Sequence, residues 1–203
     1  MKTSQISKDN AKKIEEKILK IAIEIVREGD GALFVIGNSL KYKRLMKQKF
    51  QPFSIFEKGA EKTLKGLAVV DGAIIISKEG IVKDYGVMIK STRAFFGFGT
   101  RHSAAYSASK PDNISILCSE EERKVKIFRN GKYIMQLDAL QKDIQNNTNK
   151  IAGMLETIGA GFLGTVGVVT LAPALGITLI PGVVIFGGSY YVIRKIISKF
   201  KKS

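Results

Sequence analysis

Three short stretches carry side chains whose types and spacing could do chemistry. Asp71-Gly72-Ala73 sets a carboxylate among Val69, Val70, Ile74 and Ile75. A carboxylate in such company is costly to bury unless it is paired or bound to a metal. Gly72 would let a ligand come close to the backbone. The same letters also fit an Asp in a strand-to-strand turn. Gly97-Phe98-Gly99-Thr100-Arg101-His102-Ser103-Ala104-Ala105 runs from a glycine-bearing loop into Thr100, a good N-cap, and then a small-residue helix. Unpaired N–H groups at a helix start bind anions, and Arg101 and His102 add donors on that turn. P-loop spacing is absent, so this would be a triphosphate cradle of another kind. His102 alone reads equally well as a structural histidine. Ser119-Glu120-Glu121-Glu122 directly follows an apolar strand, Ile114 to Cys118. Hard oxygen donors at a strand's end suit Mg2+ or Mn2+, and they also suit a solvated acidic turn. Together the three stretches make a set for metal-assisted phosphoryl or nucleotidyl transfer.

The elements that must position them mix helix and strand. Ile14, Ile18, Ile21 and Ile25 predict an amphipathic helix over roughly Lys8 to Glu28, closed by Gly29. Ala32 to Ile36 reads as a short buried strand and Lys41 to Lys49 as a basic helix. Gly66 to Ser77 reads as two buried strand pieces around Asp71, and Ile81 to Val87 as another strand. Val125 to Phe128 and Tyr133 to Leu137 flank Asn130-Gly131, a type I′ hairpin signature. The pattern predicts an α/β fold with a mixed central β-sheet flanked by helices.

Composition narrows the possibilities. One cysteine, Cys118, excludes an internal disulfide framework and any cysteine-cluster zinc site. One histidine, His102, excludes His-rich metal sites. With 33 Lys+Arg against 18 Asp+Glu, the net charge of +15 favours polyanionic partners. No Trp and no aromatic-plus-Arg strand motif argue against a specific nucleic-acid partner. From Thr157 to Ile193 there is no charged residue, and basic residues flank the run. That predicts a C-terminal membrane anchor over 151–203, with two transmembrane helices at about 151–172 and 174–193 broken at Pro173. Residues 141–150 read as a linker or the start of the anchor helix, and 1–140 as the catalytic domain. The polar N-terminus lacks a secretory pattern, which places that domain on the cytoplasmic side of the cell membrane. Gly159-Ala160-Gly161-Phe162-Leu163-Gly164 matches GxGxxG in letters, but no acid follows some twenty residues on. Those glycines read as helix packing.

DGA (Asp71 to Ala73), GTRHxAA (Gly99 to Ala105) and SEE (Ser119 to Glu121) occur in the order and spacing of the diadenylate cyclase domain, and the chain resembles that family over roughly residues 10 to 137. Tyr85 to Ser91 looks like a variant of its adenine-side segment, and Gly31 to Gly37 resembles its opening strand. The resemblance implies condensation of two ATP into cyclic di-AMP and pyrophosphate, across a face-to-face pair of domains. It implies that Asp71 helps hold a Mn2+ or Mg2+ ion beside the attacking 3′-hydroxyl and that Gly72 and Ala73 line the ribose. Met88 would lie against adenine. Gly99, Thr100, Arg101, His102 and Ser119 would hold phosphates, and Glu120 would help with the metal. Asp71, Arg101 and His102 would then be the catalytic set. One departure stands out. The bacterial pattern reads RHR, whereas this chain has Ser103 at the third position, which removes a fixed positive charge. Lys110 or Arg93 could stand in. Ser103 also favours a competing reading, a catalytically silent nucleotide-binding sensor at the membrane.

Overall fold

Ile14, Ile18, Ile21 and Ile25 are all buried, so the opening helix α1 (Lys2–Glu28) lays that stripe on the sheet. This computed structural model describes residues 2–47, 49–90, 99–110, 112–159 and 176–179. Gly29, at φ 95°, ends α1 in the left-handed conformation that a helix C-terminus favours.

The strands are β1 (Ala32–Ile36), β2 (Tyr42–Arg44), β3 (Phe53–Ser54), β4 (Ala73–Ile76), β5 (Ile81–Ile89), β6 (Ile114–Ser119), β7 (Lys124–Arg129), β8 (Lys132–Asp138) and β9 (Ile177–Leu179). They form one sheet in the order β2-β5-β4-β1-β6-β7-β8-β9, with β3 also on β5. β1 and β4 run parallel, whereas β1 and β6, and β6 and β7, run antiparallel. The sheet is therefore mixed, as the sequence pattern predicts. Alternation sends Ala32, Phe34 and Ile36 to one face, under α1. Leu33 and Val35 point to the other, under α3 (Thr100–Ala108). Asn130 and Gly131 take φ values of 51° and 65°, the backbone of the expected type I′ turn between β7 and β8.

Four expectations change. Lys41 to Lys49 is not a helix. Its β2 portion pairs with β5, and Arg44 donates to the fully buried Asp84 carboxylate at 2.6 Å. That ion pair and the open edge of β5 outweigh local helix propensity. Gly66 to Ala68 is not strand but the end of α2 (Ala60–Ala68), because Ala60, Leu64 and Ala68 form a single buried stripe at helical spacing. Residues 141–150 are less a linker than a helix start. They hold a 3-10 turn (Gln145–Asn147) and the start of α4 (Thr148–Gly159), and Ile151, Ala152 and Leu155 are fully buried in the α1-side core. Glu156 of α4 lies 3.7 Å from Arg129 of β7.

The last change concerns the hairpin. β9 lies within the expected second transmembrane helix, yet Ile177 pairs with Leu137 and Leu179 with Met135 on β8. The edge of β8 gives those backbone groups their partners. Among the described residues no helix is long and apolar enough to cross a membrane. The rest of the hairpin and its Gly159–Gly164 stretch, beyond Gly159 itself, lie outside the described residues.

Candidate active site

The site forms where β1 and β4 begin, where β5 and β6 end, and where α3 starts. Parallel pairing sets Leu33 beside Ala73, and the antiparallel neighbours bring Val87 and Leu117 to the same end. α3 is held over this face from its far end. The buried Asn113 side chain donates to the carbonyls of Ala108, Lys110 and Ser39, at 3.0, 3.2 and 3.1 Å. Such a buried amide fixes helix position because each of its bonds would be costly to lose.

Two adjoining cavities open there. The larger, about 480 Å³, is lined by Asp71, Gly72, Ala73, Met88, Thr100 and Arg101, with Leu33, Leu45, Val87, Ile89, Lys90 and Ala104. The second, about 280 Å³, is lined by Gly99, Thr100, Arg101, His102, Ser119, Glu120 and Glu121, with Leu117 and Cys118. Thr100 and Arg101 border both. All ten residues singled out from four separate stretches thus face one composite cleft. An apolar wall with few convergent polar groups suits a base, and the more polar second cavity suits phosphates.

Local geometry revises three details. Asp71 is exposed, in the turn between α2 and β4, with Oδ1 accepting the Gly72 N–H at 3.0 Å. Its carboxylate therefore meets solvent and cleft rather than core. Gly72 is also needed for the fold itself. It sits at φ 107°, and a Cβ there would lie 2.7 Å from the Val87 backbone nitrogen of β5. The N-cap of α3 is Gly99, and Thr100 is the first helical residue. Gly99 gives no side-chain cap, and the His102 N–H donates to the Gly99 carbonyl at 3.1 Å, so the turn before it begins at the cleft with the Thr100 and Arg101 N–H groups.

The charged groups pair across elements. Arg101 Nη1 lies 3.6 Å from Glu120 Oε1, both half exposed. They pack over Gly31, where a Cβ would meet Arg101 Nη1 at 2.4 Å and Glu120 Oε2 at 3.2 Å. Lys126 of β7, only 1% exposed, sets its Nζ 2.9 Å from His102 Nε2 and pairs with Glu122. Burial first, and then the Lys126 ammonium, hold the His102 imidazole below its ordinary pKa, against an opposing pull from Glu122. Neither Gly31 nor Lys126 stands out in the sequence as a site residue. In Lys124-Val125-Lys126-Ile127 the alternation marks 126 as a polar, solvent-facing position, but α3 covers that face. Of the two cations suggested to replace the charge missing at Ser103, Lys110 lies 4.3 Å over the Tyr106 ring near the far end of α3. Arg93 lies outside the described residues, and Ser103 itself is buried.

A divalent cation fits this cleft in one way only. Asp71 and Glu120 offer hard carboxylate oxygens, but no group of three or more His, Cys, Asp or Glu converges among the described residues. That donor set suits an ion which arrives largely coordinated by substrate phosphates and water.

A mixed sheet with a helix start and an apolar slot beside it is an α/β arrangement suited to a nucleotide. The profile of the DAC family, described as DisA bacterial checkpoint controller nucleotide-binding, matches residues 20–133, more than half of the chain, and the chain belongs to that family. The chain is 34% identical over 145 residues to a diadenylate cyclase of Methanocaldococcus jannaschii, covering 64% of this chain and 47% of that protein. It is 30% identical over 139 residues to a diadenylate cyclase of Haloferax volcanii, covering 60% of this chain and 51% of that protein. The chain thus spans about half the length of these relatives. Among solved structures, the DacA double mutant of Staphylococcus aureus aligns at TM-score 0.47 and 19% identity, over 71% of this chain and 93% of the other. A hypothetical membrane-spanning protein of Bacillus cereus aligns at TM-score 0.42 and 22% identity, over 57% and 60%.

Proposed function

We propose that this chain is a diadenylate cyclase that condenses two ATP into cyclic di-AMP, releasing two pyrophosphates. The observation that carries the reading is the convergence of Asp71, Met88, Thr100, Arg101, His102 and Ser119 on one cleft, in a chain of the DAC family. The apolar cavity takes adenine and ribose, with Met88 against the base and Gly72 and Ala73 along the sugar. Gly99, Thr100, Arg101, His102 and Ser119 take the phosphates. Asp71 lies beside the ribose 3′-hydroxyl that attacks the second ATP's α-phosphate. Each attack forms one P–O bond and breaks the bond to pyrophosphate. Positioning and charge neutralisation supply most of the rate. Bound Mn2+ or Mg2+ would be held by Asp71, with Glu120 nearby, and would offset phosphate charge.

Each domain offers half of the reaction, so two copies must face each other. Met88, Leu45, Met46 and Val69 are exposed apolar side chains, and the first two border the cleft. They are suited to cover when a second copy docks. Placement at the cell membrane, with this domain on the cytoplasmic side, is proposed from the charge-free run alone.

The test is incubation of the full chain and of Asp71→Asn with ATP and Mn2+ or Mg2+, with products identified by mass spectrometry. Cyclic di-AMP from the parent, reduced at least about 100-fold in the variant, is the expected result. ATP binding with no product from the parent under either metal would favour the silent sensor instead.

A further inference from the structure

A buried lysine beside the phosphate end of the cleft has no role in the scheme above. Lys126 is 1% exposed, and α3 covers it. A buried ammonium is costly unless paired, and Glu122, four residues earlier and 40% exposed at its side chain, pairs with it. His102 Nε2 also lies 2.9 Å from Lys126 Nζ. An ammonium has three donors and no acceptor. Nε2 must therefore accept, and the ring proton must sit on Nδ1. A second proton on Nε2 would point at the ammonium, so the contact also opposes the imidazolium.

We propose that Lys126 is a positioning residue of the phosphate cradle: it locks His102 as the neutral, Nδ1-protonated tautomer, so that the ring offers phosphate one directed donor. This rests on the nucleotide-binding reading of the cleft. Charged groups that face His102 include Lys126 of β7 and Glu122 of the β6–β7 turn. Tyr133 of β8 lies near Glu122, whose charge together with burial raises the phenol's pKa. Fixing a tautomer through the ring nitrogen that does not touch ligand is a general way to orient a histidine. It also places a positive charge just behind the cradle, in a chain where Ser103 contributes none.

His102 is the only histidine, so a full chain labelled with 15N-histidine reports this ring without assignment. The parent is expected to show the Nδ1–H tautomer and to resist protonation below the ordinary histidine range. In Lys126→Met the ring should shift towards Nε2–H and protonate at higher pH, with ATP affinity falling about tenfold. Slow alkylation of the buried Cys118 reports whether the variant is folded. Should it not fold, Glu122→Gln, on the partly exposed turn, serves instead. It leaves the ammonium unneutralised beside the ring and should push ring protonation to still lower pH. An Nε2–H tautomer in the parent overturns the proposal. So does an ATP affinity within about twofold of the parent's in a folded Lys126→Met, or an unmoved titration in Glu122→Gln. ATP affinity is read at equilibrium, so a chain that binds ATP yet makes no cyclic di-AMP would sink the cyclase reading while leaving this one standing.

Discussion

At the scale of single residues, the cleft depends on glycines as much as on charges. Gly31 carries no functional group, yet a methyl there would meet the Arg101 guanidinium at 2.4 Å. The obstacle is the end of a flexible side chain, so the fold can absorb it by moving Arg101. Gly31→Ala is therefore expected to keep its melting temperature within a few degrees and to raise the KM for ATP several-fold, measurable by initial-rate kinetics. Gly72 is the opposite case. Its positive φ and its backbone contact with β5 leave nothing that can give way, so a substitution there acts on stability. The motif letters marked both the Asp71 and the Arg101 stretches. They did not show that Gly72 is needed by the neighbouring strand, because that depends on which chain segment passes within 3 Å.

At the scale of elements, α1, α4 and β7 meet around a buried carboxyl. Glu15 is 2% exposed, with Arg129 3.8 Å from Oε1. Burial pushes its pKa up to about 9, against Arg129, with the Glu156 carboxylate adding to the rise. The protonated form belongs to the fold, and unfolding returns the group to about 4.5. Its stabilising contribution is thus complete below about pH 4.5 and is lost as pH rises through about 9. Glu15→Gln keeps a neutral polar group there. It should raise stability near neutral pH by roughly 1–3 kcal/mol and flatten the decline towards alkaline pH, as read by urea melts across pH. The same junction sets the cost of disturbing α4. Leu155 is fully buried and its carbonyl accepts from Arg129 at 2.8 Å. Leu155→Ala should cost about 2–5 kcal/mol in the same melts. The polar letters of 141–150 suggested a linker because the partner that buries Ile151 and Leu155 is α1, more than a hundred residues away.

At the scale of the whole molecule, the proposed reaction needs two copies of the cleft. If two copies must face each other, specific activity rises with protein concentration, steeply below the dimer's Kd, and levels off above it. Initial rates across a dilution series, alongside sedimentation, check this. A rate per molecule that stays flat while the chain remains monomeric would remove the face-to-face arrangement.

Much was legible before any fold was known. Helical spacing marked the buried stripe of α1, Asn130-Gly131 marked the hairpin, and the three chemical motifs marked the residues that line the cleft. These signals are local: each is carried by a few neighbouring side chains and by the repeat of its own element. The sequence by itself therefore determined the fold class, the family and most of the residues that line the cleft. Only the tertiary structure decided that β2 is a strand, that Asp71 stands in an exposed turn, that α4 and β9 join the domain, and that Lys126 is buried against His102. Those outcomes depend on contacts between distant segments, where burial and edge pairing outweigh the preference of any single stretch.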